Sequence, residues 1–227
     1  VNVDVVHDGR WVYGEMYDWG KVIDDLDLLQ TNISPQGTYV QSAVASLNRV
    51  SDELFTAAFF GDAKTGETGS TTTAFDASNV VAVNAEGLTV AKMIEAKEIL
   101  LSNEVDVDME DIYIGVSPKQ QSDLLAITQV VSTDFNSKPV LVDGKVTEFL
   151  GMKIIVSNRL PVDGNSYRRN PVWVPSGMGC GLWKDISGVV RNRPDLQGNP
   201  DYAEASMMKG FTRLEEAKCV EIKSSEA

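Results

Sequence analysis

The chain has 227 residues, 43% hydrophobic and 23% charged, with a formal net charge of −13. That length can bury one large core or two small ones, and no run of about 18 apolar residues offers a membrane-spanning helix. Residues 1–113 carry 6 basic and 20 acidic side chains, net −14, and residues 114–227 carry 14 basic and 13 acidic, net +1; such acidity argues against a nucleic-acid binder, whose phosphate contacts need Lys and Arg.

In chain order, Val3, Val5, Trp11, Tyr13 and Tyr17 suggest strand, with Asp8-Gly9 as a turn. Residues 21–33 set Val22, Ile23, Leu26 and Leu29 among aspartates, a short amphipathic turn or helix. The dominant stretch follows, Ser34 to Gly61. Ser34 is a suitable N-cap and Pro35 fits the first helical position. Val40, Ala43, Val44, Leu47, Val50, Leu54 and Ala58 recur at steps of three or four and draw one apolar stripe. Gly61 can close the helix in the left-handed conformation. The predicted helix, residues 35–60, is about 39 Å long at 1.5 Å per residue. It can lie on a sheet, or serve as the backbone of a flat, extended subunit; periodicity does not separate the two.

Residues 61–73 read as loop. Residues 79–83 are a short strand. Residues 88–102 form a second helix, with Val90, Met93, Ile94, Ile99 and Leu101 as its apolar positions. Residues 111–116 are a buried strand, and Ser117-Pro118 opens a third helix. Residues 138–156 hold two or three strands, with Asp143-Gly144 as a hairpin turn. Short strands are expected at 172–174 and 181–183, a break at 192–201, and strand around Cys219, Val220 and Ile222. Helices among many strands make the fold class α+β.

The chemical constellations are weak. Gly61 to Thr68 has P-loop spacing, but Glu67 stands where the phosphate-binding Lys belongs and a helix precedes it. Asp106 to Asp111 begins like a calcium loop, but Asp111 takes the place of the turn glycine and Ser117 that of the bidentate Glu. His7 is the only histidine, a poor basis for a triad or a metal site. No catalytic, cofactor-binding or metal site is assigned. Arg168 and Arg169, with Arg159 nearby, suit a solvated turn, a phosphate contact or an ion pair. Trp11, Trp19, Trp173 and Trp183 suit cores or interfaces. Cys180 and Cys219 are too few and too far apart for a disulfide framework, which fits a reduced, cytosolic setting.

Five stretches, in this order, carry a resemblance. They are residues 34–66, with Arg49 and Asp52 in Arg-x-x-Asp spacing; residues 88–106; residues 112–125; residues 133–157, with Asp134-Phe135-Asn136, Asp143-Gly144 and Phe149-Leu150-Gly151; and the terminal strand after Gly210. The chain resembles the major capsid proteins of tailed bacteriophages, whose fold is named after Hong Kong phage ninety-seven.

The resemblance implies a peripheral domain, residues 1–84 and 200–227, holding a spine helix at 35–60 and a long sheet, with an axial domain inserted at 85–199. It implies a non-enzymatic coat subunit that assembles as pentamers and hexamers into an icosahedral shell around the phage genome. Portal, scaffolding or cement proteins are possible partners, DNA is enclosed without sequence-specific binding, and no cofactor or membrane is involved. The place is the virion, with assembly in the bacterial host cytoplasm. Val40, Val44, Leu47 and Leu54 are the expected spine-helix core. Arg49, Asp52, Arg168 and Arg169 are expected in inter-subunit or structural ion pairs. The family carries an arm and an extended loop before the spine helix, and only about 33 residues precede Ser34 here, so the chain is expected to be a piece of a longer coat protein. The other readings are a tail, adhesion or other protein-binding module of a phage particle, or an enzyme with a deep polar pocket.

Overall fold

A computed structural model describes residues 9–23, 35–84, 86–107, 109–127, 141–142 and 145–226, with the backbone alone at 35–36, 141–142 and 145–146. The expected features at Val3, Val5, His7, Asp8, residues 24–33, Ser34, Asp134-Phe135-Asn136 and Asp143-Gly144 lie outside them. The chain divides into two compact units. The larger holds the described residues of 1–11, 56–179 and 212–227; the smaller holds those of 12–55 and 180–211.

The smaller unit contains most of the long helix. Helix α1 is Pro35–Phe60, 26 residues as predicted. Three strands form its sheet, in the order β12 (Met178–Asn192), β13 (Asp201–Arg213), β2 (Glu15–Ile23). β13 and β2 are antiparallel, from Asp201 opposite Ile23 to Lys209 opposite Glu15. Alternation puts odd-numbered β13 side chains on one face. Ala203, Ala205 and Met207 there are buried. Ala43 and Leu47 of α1 join Ala205 and Met207 in one cluster, with Tyr17, Trp19, Val50, Leu54 and Ile186 packed around it. The stripe read from sequence is therefore the packed face of α1, and small alanines let the helix approach the strands. Sequence reading foresaw a three-residue strand at 181–183; the strand runs 15 residues. Its glycines broke the apolar pattern, but Gly188 is where α1 comes close: a Cβ there would lie 2.6 Å from a Val40 methyl.

The larger unit is built on a six-stranded sheet, in the order β5 (Val80–Val81), β14 (Cys219–Ser224), β11 (Arg168–Trp173), β6 (Ile112–Val116), β10 (Met152–Val156), β9 (Glu148–Phe149). β6 and β10 are parallel, Ile112 opposite Met152 through Val116 opposite Val156. A parallel pair needs a long crossover, and it contains helix α3 (Pro118–Ala126). Ser117 caps α3 as expected, completing a capping box with Gln120. Helix α2 (Val90–Ser102) is capped by Thr89. Ile112, Ile114, Val116, Val172, Val220 and Ile222 of the sheet bury against Met93, Ala96, Leu100 and Leu124 of the helices. Each of these side chains except Ala96 contributes about 1.5–3 kcal/mol of transfer free energy.

Several expectations are corrected. Residues 61–73 are not plain loop: β3 (Ala63–Thr65) and β4 (Thr71–Thr73) pair antiparallel, and β1 (Arg10–Trp11) pairs with β3. Threonines favour strand, and Gly66 and Gly69 supply the positive φ of the turn. Ile94 and Leu101 of α2 are half exposed, and Ala96 and Leu100 take the core positions instead. Gly61 is not left-handed; its N–H bonds to Ala57 O. The terminal strand β14 was placed with the spine helix. It lies between β5 and β11 in the larger unit, because nearly every residue along it is buried and only an interior sheet position provides two covered faces. The units therefore separate elsewhere than at 84/85 and 199/200. β7 (Leu141–Val142) and β8 (Lys145–Val146) pair across a two-residue connection.

Polar ties hold the chain's later part. Gln120, Asn170 and Ser224, fully buried, bond mutually. Asn170 also donates to Gly115 O at 2.8 Å. Glu226 accepts from Arg168 Nη2 at 2.7 Å and from Ser117 Oγ. The Arg168 hydrogen bond, joined by that from Ser117, holds the Glu226 carboxyl below the usual glutamate range against the opposing effect of burial. A depressed folded-state pKa contributes stability above the unfolded value, about 4.3, which is lost as pH falls through the folded value. Glu226→Gln is expected to flatten the acid limb of the stability profile below about pH 4.5, measured by denaturant midpoints across pH; an unchanged limb would refute the tie.

Candidate assembly surface

No group of three or more His, Cys, Asp or Glu among the described residues is placed to hold a metal ion, and none of their helices is long and apolar enough to cross a membrane. Gly61 to Thr68 runs from the end of α1 into β3, not from a strand into a helix as phosphate cradles do. Asp111 is engaged by Lys153.

What stands out is apolar surface. In the smaller unit Tyr13, Met16, Val22, Leu182, Trp183 and Val189 are all more than 40% exposed. Strand alternation puts Met16 and Val22 on the sheet face opposite the one Trp19 and Met207 use, beside Met208 and Tyr202. Trp183 has a defined seat. A Cβ at Gly14 would lie 2.5 Å from Trp183 Cε3 and 3.0 Å from Met208 Cε. The indole therefore rests on bare backbone, with about half of it left open. Polar ties across the strands fix its surroundings: Arg191 to Glu204 at 3.0 Å, Lys209 to Asp185 at 3.3 Å, and Lys184 to Ser206. Exposed ion pairs contribute little energy. The Trp–Tyr–Met composition is that of the centre of protein interfaces.

The larger unit exposes Ile94 and Leu101, seven residues apart on one side of α2, and Met109 at 82%. Its sheet carries a ring ladder: Tyr113 stacks on Trp173 at 5.7 Å, Trp173 meets Phe59 at 6.3 Å, and Phe59 meets Phe75 at 5.7 Å.

The residues singled out from sequence fall into three groups. Leu47 is buried, with Val40, Val44 and Leu54 half-buried beside it on α1. Arg49 and Asp52 are exposed and form no ion pair with each other among the described residues. Arg168 and Arg169 begin β11 and pair within the chain, Arg168 with Glu226 and Arg169 with Glu221, the latter bidentate at 2.6 and 2.8 Å. Arg169 also stacks on Phe60, 4.1 Å from the ring centre. Three charged groups were missed. Arg213, Lys92 and Glu221 are each at most 3% exposed, and a lone charge in sequence carries no sign of burial.

The described residues thus make a long helix on a three-stranded sheet, a six-stranded sheet with two helices, and open apolar surface on both units. A family model described as phage capsid protein matches residues 1–226. Solved structures agree in fold. One of Mycobacterium phage Che8 matches with a TM-score of 0.66 at 16% identity, covering 92% of this chain and 70% of that one. The capsid of Ralstonia phage GP4 matches at 0.66 and 10% identity, covering 93% and 73%. An encapsulin of Synechococcus elongatus matches at 0.58 and 10% identity, covering 95% and 81%. No curated relative matches. The chain belongs to the phage capsid protein family. It is a major capsid subunit, and its place is the capsid of the virion.

Proposed function

We propose that this subunit builds its shell from pentamers and hexamers, and that the open apolar face around Trp183 is one of the surfaces it buries against a neighbouring copy. The supporting observation is the half-exposed indole held on Gly14 beside Met208. A side chain pre-set in one position gives up little entropy on association. The smaller unit then corresponds to the peripheral domain and the larger to the axial domain. Arg49 and Asp52, exposed on α1, are free to pair across a subunit boundary.

The role is non-enzymatic. Net charge −13 suits a container that must not trap the DNA it holds. Portal, scaffolding or cement proteins complete the particle, and assembly takes place in the host cytoplasm.

The test is light scattering and electron microscopy of the purified chain beside Trp183→Asp. The variant should melt like wild type, because the indole contributes little to a core. It should also associate at least about 30-fold more weakly, the loss of one interface hot spot. Wild-type assembly in a folded Trp183→Asp would remove this face from the contact, and failure of wild type to form any ring or shell would remove the pentamer–hexamer reading.

A further inference from the structure

Lys92 sits in the first turn of α2, where the helix dipole disfavours a cation, and is 3% exposed. Its ammonium meets four backbone carbonyls: Val83 at 2.6 Å, Glu86 at 2.9 Å, Gly87 at 3.0 Å and Lys223 at 3.1 Å. None of these bonds is to a carboxylate. An ammonium has three protons, so four acceptors more than satisfy it. A ring of main-chain carbonyls is the donor set that replaces the hydration shell of a potassium ion. The cage is made by Val83, Glu86 and Gly87 before α2 and by Lys223 at the end of β14, with α2 supplying the cation. Ser225 N–H adds one bond to Glu86 O at 2.9 Å.

We propose that this cage is a monovalent-cation site, shaped for an ammonium or a potassium-sized ion, which the chain fills with its own Lys92. The hydrogen-bonded ammonium there latches the end of β14 onto Val83, Glu86 and Gly87. The butyl stem of Lys92 supplies reach; the ammonium's hydrogen bonds supply the hold. Burial lowers the ammonium's pKa, and the carboxylates of Glu86 on the loop and Glu95 on α2 oppose that shift. The Lys223 side chain does not add to the cage, because its ammonium is turned to Asp163 at 3.5 Å. A lowered folded pKa means that burial opposes the charge, and the four carbonyl hydrogen bonds hold the ammonium in place against that cost.

The test reads amide exchange at Ser225 in the full chain. Lys92→Met keeps the stem's bulk and removes the charge. Exchange at Ser225 should then rise about 10- to 100-fold, the loss of hydrogen bonds to a charged group. In Lys92→Ala, methylammonium chloride should slow exchange back towards wild type, and tetramethylammonium chloride, which cannot donate a hydrogen bond, should not. Unchanged exchange in Lys92→Met, or equal effects of the two salts, would overturn the proposal. Should neither variant fold, the wild-type chain carries the test through the Nζ–H resonance of Lys92 at neutral pH. Its ammonium protons should be protected from exchange with water, because each is hydrogen-bonded to a backbone carbonyl. Ammonium protons that exchange as fast as those of the exposed lysines would refute the latch.

Discussion

Arg213→Met is expected to destabilise the chain by about 3–5 kcal/mol, the cost of removing one member of a buried ion pair. Arg213 is fully buried, and its guanidinium serves five acceptors. Nε donates to Glu216 at 2.6 Å, Nη1 to the carbonyls of Phe59 and Gly61 at 2.5 Å each and of Ala58 at 3.2 Å, and Nη2 to Thr73 O at 3.2 Å. The carbonyls of the last turn of a helix have no partner within it. Those of Ala58 and Phe59 end α1, so Arg213 is its C-cap, with the cation at the negative end of the dipole. Methionine fills similar volume and leaves those carbonyls and Glu216 without their donor. Arg213→Lys should recover only part of the loss, because a compact ammonium with three donors cannot reproduce the planar fork. Denaturant midpoints, with amide exchange at Gly61, provide the measurement. A loss below about 1 kcal/mol would show that water takes over the cap.

That cap also shows where sequence reading stops. The helix itself was legible, because α1 carries its apolar residues at helical spacing and periodicity is a local property. Its ending was assigned to Gly61, the nearest residue with a local reason to end a helix. The actual cap comes from a residue 152 positions away in sequence from Gly61. The same holds for β14. Its apolar residues identified a strand, but its neighbours β5 and β11 are set by tertiary pairing, which leaves no local trace. β3 and β4 were missed for a different reason. Glycine and threonine mark turns in composition, and here the glycines make the turn while the threonines extend it into strands.

The assembly surface was half legible. Trp183 was singled out as a core or interface residue from its type alone. Its being half open depends on Gly14, from a distant part of the chain, giving it a flat seat. Arg168 and Arg169 were named for ion pairs, and their acidic partners, Glu226 and Glu221, lie more than fifty residues on. Charge pairing at that range depends on strand register, as in the antiparallel match of β11 with β14.

Leu47→Asp is expected to be comparably severe, and in the smaller unit. Leu47 is 3% exposed and belongs to the cluster with Ala43, Ala205 and Met207. Removing the leucine side chain costs about 2–5 kcal/mol through lost burial and the cavity left behind. Burying a carboxyl group without a partner adds about 1–3 kcal/mol. The only relief is protonation, since burial disfavours the charged form and raises the folded-state pKa of the new aspartate. A raised folded pKa contributes stability that is present below the unfolded value, about 3.9, and is lost as pH rises through the folded value. The deficit of Leu47→Asp relative to wild type should therefore be larger at pH 7 than at about pH 4. Gln41→Asp is the control: it lies on the same helix, exposed, and should stay within about 0.5 kcal/mol of wild type. Denaturant midpoints at the two pH values, with amide exchange over residues 43–54, make the comparison. Equal midpoints for Leu47→Asp and Gln41→Asp would mean that the α1 stripe faces water, and the packing of the helix on β13 would have to be abandoned.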